Sequence, residues 1–150
     1  MVRLGELNVR GLRDETKRLS IERYILDNKI DICCVTDTHS LESDNNKWSG
    51  EWAGDSYWHH GESNHKGGTS IIVKKGFKIR ILDKDTKGRI IFAEILKENE
   101  SFIKVACLYA PTSTHLDEQI DFLTNLISFY EKYPGIFLGG DFNGHVCEVD

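Results

Sequence analysis

The chain has 150 residues, 39% of them hydrophobic and 29% charged, with a formal net charge of −5. That composition suits one globular domain with its own core. The negative balance excludes a bulk positive grip on nucleic acid, so any phosphate-binding face has to be local.

Residues 5–9 are short and apolar, a strand candidate, and Gly11-Leu12 breaks it. Residues 14–28 are predicted as an amphipathic helix with Leu19, Ile21, Tyr24 and Ile25 on its apolar face. Residues 30–35 are continuously apolar between charges, the pattern of a buried strand. Cys33 and Cys34 are adjacent there and must point to opposite faces. Residues 40–66 are polar, carry all three tryptophans and show no period. They are expected to form a long loop with a short strand near Trp58, ended by Gly67-Gly68. Residues 69–74 and 77–82 follow as strands. A turn at 85–88 leads to paired strands at 89–96 and 102–109, joined at 98–100. Residues 116–130 place Ile120, Leu123, Leu126 and Ile127 at helical spacing, with Asp117 and Glu118 favouring the first turn. Pro134-Gly135 stops that helix, and 136–138 is the next strand. The order β-α-β, several strands, then α-β predicts a mixed α/β domain.

No apolar run is long enough to cross a bilayer, and the first residues hold no apolar stretch followed by a cleavage site. The expectation is an intracellular protein, nuclear or cytoplasmic, with no membrane partner. The cysteines (Cys33, Cys34, Cys107 and Cys147) include no C-x-x-C pair, so reduced and mostly buried thiols are expected.

Four segments stand just after apolar strands, where layered α/β folds bind ligands. They are Leu7-Asn8-Val9-Arg10-Gly11, Thr36-Asp37-Thr38-His39, Leu108-Tyr109-Ala110-Pro111-Thr112 and Gly139-Gly140-Asp141-Phe142-Asn143-Gly144. Asp37 and Asp141 offer the hard oxygen donors that Mg²⁺ takes. Asn8 and Asn143 can orient a water or a phosphate oxygen, and the Tyr109 hydroxyl can bond a phosphate.

In this order, with Lys17-Arg18, Asp31-Ile32, Gly67-Gly68 and Gly88-Arg89 between them, the segments resemble the endonuclease/exonuclease/phosphatase superfamily. That superfamily includes the apurinic/apyrimidinic endonuclease-like and deoxyribonuclease I-like enzymes. The subtype they are most similar to is the endonuclease of non-LTR retrotransposons. The resemblance implies an α/β fold, a two-sheet β-sandwich flanked by helices in four layers (α-β-β-α). Residues 1–150 would be the N-terminal part of that single domain, incomplete at its C-terminal end. It implies that Asn8 helps position metal and water, and that Asp37 ligates Mg²⁺, with Mn²⁺ as a substitute. Tyr109 and Asn143 would contact the scissile phosphate, and Asp141 would act as general base. The substrate would be the DNA phosphodiester backbone. Further partners would be the remainder of the domain and, in an intact element, a reverse transcriptase domain.

Two departures qualify the resemblance. The family carries Glu where this chain has Asp37, one methylene shorter. Its C-terminal Ser-Asp-His type motif does not occur before Asp150. The chain alone is therefore expected to be inactive or weak. It should supply one sheet and only the first strand, near Phe137, of the second, leaving an apolar face that aggregates. The rival readings are a catalytically inactive remnant or binding module of the same fold, and a lipid or small-molecule phosphatase.

Each residue also has a plainer role. Asp141 and Asn143 suit a turn, as does Asn8 before Gly11. Tyr109 suits a half-buried strand end. His39 reads as structural rather than catalytic, Arg89 as a turn residue with a phosphate contact as the alternative, and His59, His60 and His65 as parts of a solvated loop. The tryptophans are expected to pack that loop onto the sheet.

Overall fold

The computed structural model describes residues 2–111 and 116–140, together with the backbone of 146–149. β1 (Val2–Asn8) leads through α1 (Glu15–Asp27) to β2 (Ile32–Thr36). A short 3₁₀ turn (Glu42–Asp44) and α2 (Asn45–Glu51) precede β3 (Ser56–His59), β4 (Thr69–Val73), β5 (Phe77–Lys84), β6 (Ile90–Lys97) and β7 (Glu100–Leu108). The chain then runs through α3 (Leu116–Lys132) to β8 (Phe137–Gly139) and β9 (Val146–Val149). The strands form two sheets, ordered β3-β4-β2-β1-β9 and β5-β6-β7-β8. This is the α/β sandwich expected from the sequence.

Local chemistry explains the elements. Asp14 caps α1 by accepting a hydrogen bond from the Thr16 amide at 3.0 Å. All five residues of β2 are buried, because α1 covers one face of the sheet and the second sheet covers the other. β1 and β2 are parallel, as are β7 and β8. Each parallel pair is joined through a helix, the connection that parallel strands require. Glu98 and Asn99 both have positive φ, 54° and 63°, so the β6–β7 hairpin closes on a type I′ turn. The double substitution Glu98→Asn, Asn99→Gly is expected to stabilise the fold by about 1 kcal/mol, seen as a higher urea midpoint.

Three apolar clusters hold the layers. Ile32, Cys34, Ile71, Ile91, Ile95 and Cys107 lie between the sheets. Leu12, Ile25, Cys33, Trp48 and Trp58 fill the space beneath α1 and α2. Trp48 and Trp58 meet edge to face at 5.2 Å, so these tryptophans pack the connection onto the sheet as expected. On the far side, Phe92, Phe122 and Ile136 pack with Phe129 and Tyr133, and this cluster seats α3 on the second sheet.

The structure corrects four expectations. The second sheet holds β5, β6 and β7 as well as β8, because the α3 crossover lays β8 beside β7. The supposed loop at 40–66 contains the short strand expected near Trp58, which is β3, but also the 3₁₀ turn and α2. Its short elements gain their stability from buried Trp48 and Trp58 rather than from any periodicity. The helix faces are rotated. In α1, Ile25 and partly Ile21 face inward while Leu19 and Tyr24 are exposed. Both of these lie roughly 100–120° around the helix from Ile25. In α3, Phe122, Leu126 and Phe129 face the sheet, and Ile120, Leu123 and Ile127 are exposed.

The fourth correction concerns the thiols. Cys34 and Cys107 form a disulfide across the sandwich, with Cα atoms 5.5 Å apart. Their strands belong to different sheets, so nothing in the sequence spacing announced the pair. Cys33, on the opposite face of β2, is a free buried thiol, and burial, then the Glu6 charge, pushes its pKa far up. It is an inert core residue. Among the described residues, no helix is long and apolar enough to cross a membrane.

Candidate functional site

The two parallel strand pairs end at the same edge of the sandwich. The Cys34–Cys107 bridge joins β2 to β7 shortly before both strands end. A Cβ built on Gly139 would lie 2.6 Å from Oε1 of Glu6, so β1 and β8 also run close together near their ends. Asn8 ends β1, Asp37 follows β2 and Tyr109 follows β7. The structure therefore brings together these three sequence-predicted site residues at one edge. Asp141 and Asn143, which follow β8 in sequence, lie outside the described residues.

Asp37 is held from several directions. Its φ is +60° and that of His39 is +61°, a region that side chains other than glycine enter at a cost of about 1 kcal/mol or more. Backbone bonds fix the segment. The Asp37 amide donates to Gly68 O at 2.8 Å and the His39 amide to Gly67 O at 2.8 Å. From the other side, Gly11 N donates to Asp37 O at 2.6 Å and Leu12 N to Thr38 O at 2.9 Å. A side chain on Gly68, whose φ is +98°, would strike Thr38 Oγ1 at 2.4 Å, so this tight crossing requires glycine. The carboxylate keeps 17% of its side-chain surface exposed. Its Oδ1 accepts from the Gly67 amide at 3.1 Å and from His39 Nε2 at 3.0 Å.

Asn8 turns its Oδ1 back to the Arg10 amide at 3.3 Å. Tyr109 is half-buried; its ring lies 5.3 Å from the Arg89 guanidinium, and Arg89 Nη1 donates to the Tyr109 carbonyl at 3.1 Å. Arg89 also pairs with Glu118 of α3 at 3.7 Å. Gly67, Lys66, Lys87, Arg89, Tyr109 and Glu118 all line one cleft of about 200 Å³. Glu62 lines it too and pairs with Lys66 at 3.7 Å, so Lys87 is the cation of this lining without an acidic partner in it.

A polar network lies behind the Asp37 segment. Thr38 Oγ1 donates to Ser40 Oγ at 3.1 Å, and Ser40 Oγ lies 2.8 Å from His60 Nδ1. Burial, and then the neighbouring His59, lower the His60 pKa and favour the neutral ring. His59 is not in a solvated loop. It is buried, and its Nε2 donates to Asp85 Oδ1 at 2.8 Å, tying the first sheet to the β5–β6 turn. Burial pushes the Asp85 carboxyl up, but the bonds from His59 and from the Ile90 and Arg89 amides outweigh it, and its pKa ends below the usual value. His65 is exposed, as expected. Sequence reasoning missed Asp85 and Ser40, because a turn acid and a loop serine carry no signal until their partners are known.

The donors at this edge, the Asp37 carboxylate and the Asn8 amide oxygen, are hard oxygens of the kind Mg²⁺ selects. Among the described residues, no three His, Cys, Asp or Glu side chains gather as a metal-binding group. The residues present fit a cation that completes its shell with waters or substrate oxygens, the usual state of bound Mg²⁺.

A family model described as the Endonuclease/Exonuclease/phosphatase family matches residues 5–150. No curated protein sequence matches the chain. Among solved structures, an AP endonuclease from Archaeoglobus fulgidus superposes with a TM-score of 0.69 at 18% identity, covering 94% of this chain and 57% of its own. The APE2 catalytic domain of Xenopus laevis gives a TM-score of 0.70 at 14% identity, with 93% and 58% covered. The endonuclease domain of TRAS1, a telomere-specific non-LTR retrotransposon, gives 0.62 at 13% identity, with 95% and 59% covered. The chain thus spans a little over half the length of these structures, and at such identities they share its fold.

Proposed function

Because the chain belongs to the Endonuclease/Exonuclease/phosphatase family, we propose that it is part of a divalent-metal-dependent phosphodiesterase that nicks DNA, of the non-LTR retrotransposon type. The observation that supports this best is the joint placement of Asn8, Asp37 and Tyr109 at one sandwich edge, beside a cleft flanked by Lys66, Lys87 and Arg89. The likeness in fold to the TRAS1 endonuclease domain supports the subtype.

In this reading the backbone of a DNA strand enters the cleft, and Lys66, Lys87 and Arg89 offset its charge. Asp37 and Asn8 would hold Mg²⁺ or Mn²⁺, which would stabilise the charge that develops on the phosphorus oxygens. Tyr109 and Asn143 hydrogen-bond the scissile phosphate. Asp141 accepts a proton from the attacking water as its oxygen bonds to phosphorus. The P–O3′ bond breaks, the leaving oxygen takes up a proton, and a 3′-hydroxyl results, the end that a polymerase extends. Asp37 in place of the family's Glu shifts the ligand oxygen by about one methylene.

The test is a supercoiled-plasmid nicking assay with the natural reading frame that carries this sequence. Mg²⁺-dependent nicking is expected to fall at least about a hundredfold in Asp37→Ala and in Asp141→Ala, comparable to the loss of other catalytic groups. Nicking that survives both substitutions, or that ignores chelation of the metal, would remove the reading.

A further inference from the structure

We infer that His39 is a positioning residue: it fixes the Asp37 carboxylate through Oδ1, and Gly11 of the β1–α1 connection seats its imidazole. The inference rests on the proposed ligand role of Asp37 and assigns the device that aims it.

Both hydrogen bonds to the Asp37 carboxylate fall on one oxygen. His39 Nε2 and the Gly67 amide donate to Oδ1 at 3.0 and 3.1 Å. Among the described residues nothing bonds Oδ2. A carboxylate held in this way commits one oxygen to the protein and leaves the other for a ligand. Two donors on one oxygen also fix the rotation about the Cβ–Cγ bond, which a single bond would leave loose. A cation with strict ligand geometry, such as Mg²⁺, gains most from such fixation.

The imidazole is itself held. A Cβ built on Gly11 would lie 2.5 Å from His39 Nδ1 and 2.9 Å from Cε1, so the ring occupies the space that any side chain there would need. Gly11 has φ +93°, and its amide bonds the Asp37 carbonyl at 2.6 Å. His39 is only 18% exposed along its side chain. The ring is thus clamped between the glycine of the Asn-Val-Arg-Gly segment and the carboxylate of the Asp-Thr-His segment. Two motifs distant in sequence share one mechanical part. The positive φ at His39 is what folds its ring back over Asp37, two residues earlier.

The experiment titrates Mn²⁺ alone against the purified chain and follows water-proton relaxation, with the melting temperature recorded for each variant. Asp37→Ala is expected to abolish the saturable site. His39→Ala is expected to weaken it by about tenfold or more, the usual cost of losing a group that orients a ligand, with little change in melting temperature. His39→Gln, whose amide can donate from a similar position, is expected to restore most of the affinity. Gly11→Ala should weaken binding with His39 still present. Side-chain ¹⁵N spectra of the metal-free wild type should show Nε2 carrying the proton.

An unchanged affinity in His39→Ala, with the site lost in Asp37→Ala, overturns the positioning role and leaves the ligand reading standing. An unprotonated Nε2 overturns it as well. Binding that survives Asp37→Ala removes the ligand reading, and this inference with it.

Discussion

Replacing Asp85 with alanine is expected to cost the fold about 3–5 kcal/mol, because three donors lose their acceptor at roughly 1–3 kcal/mol each. The Asp85 carboxylate is nearly buried, with 3% of its side-chain surface exposed. Its Oδ1 accepts from the Arg89 amide at 3.0 Å, the Ile90 amide at 3.0 Å and His59 Nε2 at 2.8 Å. Alanine leaves two backbone N–H groups and a buried imidazole without an acceptor, and each such orphan costs more than a hydrogen bond contributes. The melting temperature should fall by roughly 10 °C for a domain of this size. Asp85→Asn keeps an acceptor oxygen and should lose less. A change below about 1 kcal/mol in Asp85→Ala, measured by urea unfolding, would show that the turn relaxes and satisfies these groups otherwise.

The same residue sets an acid limit. Its folded pKa lies below the unfolded value, so its stabilisation is present above the unfolded pKa. It is lost as the pH falls below about 4 and through the folded pKa. Wild-type stability should therefore drop more steeply than that of Asp85→Ala in this range. Parallel acid limbs for the two proteins would refute the assignment.

Reducing the Cys34–Cys107 bridge is expected to cost about 2–4 kcal/mol. The bridge closes 73 residues of sequence separation and is the one covalent link between the sheets among the described residues. Reduction frees the unfolded chain and leaves the folded packing nearly intact, so the change appears as a melting temperature lower by roughly 10 °C. The double variant Cys34→Ala, Cys107→Ala should melt near the reduced wild type and ignore reductant. Alkylation of the denatured, unreduced chain should leave Cys34 and Cys107 unmodified. Alkylation of both, or a melting temperature indifferent to reductant, would contradict the bridge.

Much of the architecture was legible from the sequence for a local reason. β2, β6 and β7 are apolar runs with clear ends, and the Glu98-Asn99 turn between β6 and β7 sits where the polar interruption falls. Side-chain alternation made Cys33 and Cys34 face opposite ways before their surroundings were known. The strand-end motifs carried the family resemblance, and three of the four candidate segments lie at the sandwich edge where such ends must meet.

What the sequence determined by itself was therefore the kind and order of the elements, because periodicity, turn residues and caps act over a few positions. Tertiary structure alone decided four things: which stripe of α1 and α3 turned inward, which cysteines met, how Trp48 and Trp58 ordered a stretch without period, and how His39, Gly11 and Gly67 converge on Asp37. Each depends on residues far apart in the chain meeting across packed layers. Such contacts are selected by the shape and burial of the whole domain, and local pattern carries no record of them.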